Sequence, residues 1–264
     1  MTSISFNPIG IVECDQVYRF EAPRQSTLAE NTGYIELLPE HNFEHALSDL
    51  DGFDRIWVIY AFHLNDTWKP KVNPPRQTTR KKVGVFATRS PHRPNPIGMS
   101  CVELVRIEGR RVYIKNFDIL QGTPVLDIKP YISYCDSFPD ASTGWLPEDS
   151  LPEFRVVFSD RAQEKADVIY QVSALNLIAF SESQLENDPL SAKRKRVTQI
   201  DDALFSLGCR TWKILFSVVG DTVSVGDIQS SYSDEEIDAE EDKYGDKEYH
   251  RIFRTKFRPL GTVS

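Results

Sequence analysis

The sequence predicts a mainly β fold, with a β-barrel or sandwich over roughly residues 1–135 and a smaller α+β part after it. Three observations carry this. Short runs rich in β-branched and aromatic residues recur between turn residues in the first half. A polar, proline-rich stretch, "FPDASTGWLPEDSLPE" (138–153), interrupts them. Beyond it, a long stretch of helical spacing and a hairpin signal appear.

In order along the chain, "ISFNPIGIV" (4–12) reads as a strand interrupted by Asn-Pro and Gly, and "GYIELL" (33–38) alternates as a strand does. "NFEHALSDLDGF" (42–53) spaces Phe43, Ala46, Leu47 and Leu50 as a short helix, with Gly52 at its C-terminal end. "RIWVIYAFHL" (55–64) is apolar enough for a buried strand. "NDTWKPKVNPPRQTTRKK" (65–82) is a long basic loop. "VGVFAT" (83–88), "SCVELVRIEG" (100–109) and "RVYIKNFDI" (111–119) predict strands, the last two joined at Gly109-Arg110. "QGTPVLDIKPYI" (121–132) is a turn and a further strand. After the 138–153 linker, "FRVVFS" (154–159) predicts a strand and residues 161–187 a helix. Residues 211–229 predict two strands around Gly220-Asp221. The acidic run 234–248, nine acids and two lysines, predicts a solvated mobile loop. "YHRIFRTKFRPL" (249–260) predicts a last strand offering Arg251, Arg254, Lys256 and Arg258 to an anion.

Charge is segregated. Residues 66–115 hold 12 Lys or Arg against three acids, a net of +9, which leaves −17 for the rest of a chain whose total is −8. A basic segment on an acidic protein points to a localised anionic partner, nucleic acid first, or more blandly to a solvated face. The apolar runs are too short to span a membrane, and the start "MTSISFNPIGIVECD" lacks the pattern of a secretory signal. Four widely spaced cysteines without a CxxC pair argue against zinc or a disulfide framework and fit a cytoplasmic location. Glycine-rich nucleotide loops, HExxH and GxSxG are absent from the sequence.

The most informative stretch is "ATRSPHRPNPIGMSCVEL" (87–104). Pro91, Pro94 and Pro96 fix φ and hold the residues before them extended, which makes a stiff loop. Arg89 and Arg93 are then preorganised donors for phosphate or carboxylate, and His92 can donate, accept or titrate. Gly98 permits close approach of a ligand or another backbone. Elsewhere, "APRQ" (22–25) places an arginine and an amide after a proline, and "FHLND" (62–66) ends a strand with His63. Asp127 and Lys129 lie two apart, on one face of a strand, where a surface ion pair is the plainer reading.

Taken with "APRQ", "FH" and "GTPVLDIKPY", the RSPHRPNPIG run resembles the TsaA/TrmO family over roughly residues 4–140. The resemblance implies an S-adenosylmethionine-dependent tRNA methyltransferase on a β-barrel in place of a Rossmann fold. It would methylate the exocyclic nitrogen of N6-threonylcarbamoyladenosine at position 37, next to the anticodon of threonine tRNAs, and work as a cytoplasmic homodimer. It implies a cofactor pocket of Pro23, Arg24, Gln25, Phe62, His63, Arg89, Met99 and the run Asp118, Ile119, Leu120, Gln121, Gly122 and Thr123. The acceptor nitrogen is bonded to a carbonyl and needs a base, for which Asp127 and His63 are candidates. Arg93 or Lys129 would receive the threonyl carboxylate. It also implies a catalytic barrel domain over 1–137, a linker over 138–153, and a C-terminal domain over 154–264 that assists tRNA binding. In that domain Asp188 and Pro189 are followed by Leu190 where the family has arginine, and Lys193, Arg194, Lys195 and Arg196 are candidate phosphate contacts. The competing expectations are a non-catalytic tRNA or nucleotide-binding protein and a methyltransferase with another acceptor.

Overall fold

The structure is a computed structural model that describes residues 4–19, 21, 31–74, 82–146, 154–186, 188–190 and 196–257. The chain divides into two compact units, Met1–Leu151 and Pro152–Ser264. In the first, β1 (Gly10–Glu13), β2 (Thr32–Leu37), α1 (Phe43–Ala46), β3 (Arg55–Ala61), β4 (Lys71–Val72), β5 (Val83–Gly84), β6 (Ile97–Glu108), β7 (Arg111–Lys115), β8 (Pro124–Pro130) and α2 (Ser133–Asp136) follow in order. Six strands close a barrel in the order β1-β2-β7-β6-β3-β8, with β8 returning to β1. Closure leaves none of the six with an unpaired edge. Barrel, not sandwich, is thus the outcome.

Period-two alternation decides which side chains go in. Ile56, Val58 and Tyr60 of β3, Ser100, Val102 and Leu104 of β6, and Val112 and Ile114 of β7 are buried. They meet Val12, Ile35, Leu37 and Val125 in one core, capped by Phe117 and Ile119. Bulges at Leu104/Arg106 on β6 and opposite Ile59/Tyr60 on β8 bend these strands round the barrel.

Several expectations change. The 4–12 strand begins only at Gly10, and the predicted 42–53 helix breaks into α1 and a 3-10 turn at Leu50–Gly52, because Asp49 takes a left-handed backbone (φ 64°). "VGVFAT" is a two-residue strand followed by a 3-10 turn, Val85–Ala87. Gly98, which pairs with Tyr60 on β3, is closely approached by the Tyr60 ring, and a Cβ there would collide with Tyr60 Cε2 and Cζ. Gly98→Ala should therefore lower stability by about 1–3 kcal/mol through overpacking, measured by urea unfolding. A neutral result would mean that Tyr60 is free to move.

The second unit contains β9 (Arg155–Phe158), α3 (Asp160–Ser173), α4 (Leu177–Leu185), β10 (Val197–Gln199), β11 (Phe205–Cys209), β12 (Trp212–Val219), β13 (Thr222–Ser230), α5 (Asp234–Asp238) and α6 (Lys247–Lys256). Its sheet runs β10-β11-β12-β13-β9, with β9 parallel to β13. The β12–β13 hairpin turns at Gly220-Asp221, as its sequence predicts. The predicted 161–187 helix is two, split at left-handed Ala174, with Asn176 capping the second through Ala179 N.

Two corrections concern charge. Residues 234–248 are mostly exposed but not all loop: Ser233 and Glu236 form a capping box that starts α5, and Asp246 and Lys247 are buried. Residues 249–256 are helical, not extended, because Phe253 and fully buried His250 pack on Trp212 along one helix face. Arg251 and Arg254 are consequently tied to internal partners, the Ile237 carbonyl and Glu248 for the first, Asp234 and the Tyr232 carbonyl for the second. Arg258 lies outside the described residues.

Candidate functional site

A cleft of about 520 Å³ opens at one end of the barrel, within the size range of small-ligand sites. Three segments build it. The first continues β3 through Phe62 and His63, held by the bond from Phe62 N to the Pro96 carbonyl (2.7 Å). The second is the proline loop. His92 N reaches Ser90 Oγ (3.3 Å), Arg93 N the Pro91 carbonyl (2.8 Å), and Asn65 Nδ2 the same carbonyl (2.9 Å). Its main chain is thus committed to local partners, while Arg89, His92 and Arg93 line the cleft.

The third segment runs from β7 to β8. Asn31 clamps it through both main-chain groups of Phe117 (2.9 and 2.8 Å). Gly122, at φ 73°, turns it back, with its N–H on the Val12 carbonyl. Phe117 and Ile119 are buried in the core, and Asp118 between them faces the cleft. Ser100 Oγ donates to Asp118 Oδ1 (2.5 Å), and the Tyr60 hydroxyl lies 3.2 Å from the same serine oxygen.

The electrostatics of this corner follow from burial. Desolvation pushes the Asp118 carboxyl up, against the lowering effect of the Ser100 hydrogen bond and the Arg89 charge. Burial likewise raises the Tyr60 phenol, with the Asp118 charge adding to it. At His63 burial lowers the imidazole, aided by the Arg19 charge and outweighing a backbone contact at Ala61. One cleft thus holds an acid pushed up and a base pushed down, the pattern from which acid and base roles are assigned.

Of the residues predicted for the site, Phe62, His63, Arg89, Arg93, Met99, Asp118, Ile119, Leu120 and Thr123 share this cleft. Gln121 and Gly122 are not among its lining residues. Gln121 straps the segment to β1, accepting from Cys14 N (2.5 Å) and donating to Glu13 Oε2 (2.6 Å). Asp127 and Lys129 stand apart from it on β8, paired with each other at 3.0 Å and half exposed. Asp127 borders a separate hollow with Phe43 and Phe53. The plainer reading of that pair, a surface ion pair, is what the geometry displays. Pro23, Arg24 and Gln25 lie outside the described residues, as do Lys193, Arg194 and Lys195.

Sequence reasoning missed Tyr60 and Ser100. Each sits at an inward strand position, and only the β3–β6 pairing brings them to Asp118. Among the described residues no cluster of His, Cys, Asp or Glu could hold a metal ion, and no helix is long and apolar enough to cross a membrane.

Barrel and cleft define a class: a closed β-barrel with a rigid proline loop and a bipolar binding cleft at its mouth, built without any Rossmann unit. Comparison with known proteins narrows it. The family model "tRNA-methyltransferase O N-terminal domain" matches residues 11–137. The Escherichia coli K12 protein named tRNA (adenine(37)-N6)-methyltransferase is 36% identical over 202 residues, covering 74% of this chain and 86% of its own. The human protein of that name is 40% identical over 135 residues, 49% of this chain and 30% of its own. A crystal structure of TrmO from Pseudomonas aeruginosa superposes with a TM-score of 0.65 at 30% identity, over 87% of this chain and 99% of that one. The chain belongs to the TrmO family.

Proposed function

We propose that this protein is an S-adenosylmethionine-dependent methyltransferase that methylates N6 of adenosine 37 in tRNA, with N6-threonylcarbamoyladenosine as the acceptor. The observation that carries the reading is the partly buried Asp118 carboxyl, pushed up by desolvation and sharing the barrel-mouth cleft with Arg89. The cofactor carries a carboxylate and two cationic groups, an ammonium and a sulfonium, on an adenosine, and the cleft offers both signs of charge and apolar surface. Arg89 suits the carboxylate, Asp118 the cationic centre, and Phe62, Leu120 and Met99 the apolar surface.

Bound there, S-adenosylmethionine would supply the methyl group from its sulfonium. The protein's part is placement and proton removal. The stiff loop holds Arg89 and Arg93 with little entropy to lose. Arg93 anchors its Nη1 on the Val85 and Thr88 carbonyls (3.2 and 2.8 Å) and receives the threonyl carboxylate with its remaining donors. His63 accepts the acceptor's N6 proton at an unprotonated ring nitrogen. Because burial lowers its pKa, His63 stays neutral below the ordinary imidazole value of about 6.5. The acid limb of kcat/KM should therefore fall below that pH and vanish in His63→Ala.

The deciding experiment is methyl transfer to tRNA with and without the threonylcarbamoyl group, alongside cofactor titration. Transfer only to modified tRNA is expected. Arg93→Ala should lower it by about tenfold or more with cofactor binding retained, while Lys129→Ala, outside the cleft, should not. Binding without transfer would leave a methyltransferase with another acceptor or a non-catalytic tRNA-binding protein. The same reading takes the protein as a cytoplasmic homodimer with threonine tRNA, the unit Met1–Leu151 catalysing and Pro152–Ser264 assisting RNA binding. Sedimentation and a tRNA panel check the first two of these.

A further inference from the structure

Outside the residues that line the cleft, two large aromatic side chains near the paired basic strands β4 and β5 are largely exposed. Phe86 is 76% exposed, in the 3-10 turn Val85–Ala87, and Trp68 is 54% exposed, just before β4. The backbone under Phe86 is fixed on every side. Val85 is buried, with its N–H on the Pro70 carbonyl (3.0 Å). Thr88 bonds back to Val85 through both N–H and hydroxyl (3.1 and 2.8 Å), and Trp145 Nε1 donates to the Ala87 carbonyl (2.7 Å). Trp68 is flanked likewise: the Thr67 carbonyl accepts from Asn65 Nδ2 (2.7 Å), and Lys69 N donates to the His92 carbonyl (3.1 Å). Single exposed aromatics are ordinary on protein surfaces. Two on neighbouring segments whose main chain is hydrogen-bonded in place offer a preorganised surface.

The place and charge of that surface say what it fits. Arg93, a cleft residue, puts its guanidinium 5.8 Å from the Phe86 ring centroid, so the ring stands at the cleft's rim. The hairpin also carries Lys69, Lys71 and Lys82, within the +9 segment. Flat aromatic faces beside arginine and lysine are how proteins hold unpaired nucleotides: the bases stack and the cations follow the backbone.

We propose that Phe86 and Trp68 form a stacking platform for unpaired bases of the anticodon loop next to the adenosine that enters the cleft. This rests on the methyltransferase reading for its substrate, but its test does not depend on chemistry. The probe is a fluorescently labelled anticodon stem-loop RNA, with the same strand closed into a full duplex as control. Each of Phe86→Ala and Trp68→Ala should weaken stem-loop binding about tenfold, within the range measured when one stacked base is lost. Phe86→Trp should restore it, and binding of the duplex should be unchanged. Trp68 fluorescence should also be quenched on adding the stem-loop and not on adding duplex. Cofactor titration, which neither side chain should affect, reports that the variants are folded. Wild-type binding by the alanine pair together would overturn the proposal. So would equal losses on stem-loop and duplex, which would mean phosphate contact alone. Altered self-association with unchanged RNA affinity would overturn it in favour of a protein partner. Failure of wild-type protein to methylate tRNA would count against the methyltransferase reading and leave these binding outcomes to decide the platform.

Discussion

Asp118→Asn is expected to weaken S-adenosylmethionine binding by at least about tenfold and to make the ligand-free protein more stable. Both effects come from the same burial. Desolvation raises the Asp118 carboxyl above its ordinary value, more than the Ser100 hydrogen bond and Arg89 lower it. The folded state therefore holds this proton to higher pH than the unfolded chain does. Between the unfolded and folded pKa values the native state binds more protons, so this carboxyl's contribution to stability falls as pH rises through that window and stays lost above it. Asparagine keeps the oxygen for Ser100 and has no charge to bury, so its melting temperature at neutral pH should exceed the wild type's. Cofactor binding has the opposite requirement, because only the ionised carboxylate balances a cation. Wild-type affinity should decline as pH falls through the raised value, at higher pH than an ordinary carboxylate would give. Isothermal titration across acid pH, with thermal melts of both proteins, reads both effects. A variant that binds as tightly as wild type would remove Asp118 from the cofactor's charge balance.

The largest loss of stability is expected in the second unit, from Lys165→Ala. Lys165 on α3 is 4% exposed. Its Nζ donates to Asp227 Oδ1 (2.6 Å) and the Ile228 carbonyl (2.9 Å) and lies over the rings of Phe253 and Phe257. Removing one partner of a buried pair costs about 3–5 kcal/mol, and the low end applies because Asp227 keeps Arg161 at 3.4 Å and some contact with water. About 3 kcal/mol in urea unfolding is the expected value. The pH dependence should change too. Burial pushes Asp227 up, yet the Lys165 and Gln229 hydrogen bonds and the neighbouring charges outweigh it and leave it below the ordinary carboxylate value. The stability it adds is present above the unfolded carboxylate pKa and lost as pH falls through the folded one, and in Lys165→Ala that acid limb should shrink. A loss below about 1 kcal/mol, the scale of an exposed pair, would show that the ammonium is hydrated.

The strands of the barrel were legible from composition as much as from alternation. β3 is a continuous apolar run after Arg55, β7 sets Val112 and Ile114 two apart, and Gly109-Arg110 marks the β6–β7 turn. "YHRIFRTKF" misled because its alternation of basic and apolar residues also satisfies helical spacing: Tyr249, Phe253 and Phe257 recur every four residues. What settled it was a partner, the Trp212 ring stacked 3.7 Å from His250. In the acidic run, Ser233 followed by Glu236 was a readable helix start that net charge obscured.

Whereas the FH pair was marked only by the family resemblance, the rigid loop and its two arginines were evident from residue types alone, because proline geometry and guanidinium chemistry are local properties. The same holds for the strand periods and the basic segment. Only the tertiary structure decided that β8 closes onto β1, that Tyr60, Ser100 and Asp118 meet, and that Asp127 does not join His63. Those outcomes depend on pairings between residues 18 to more than 100 positions apart and on how much water each group loses. Burial is a property of the assembled barrel, and here it is burial that separates a solvated ion pair on β8 from the raised carboxyl of Asp118 in the cleft.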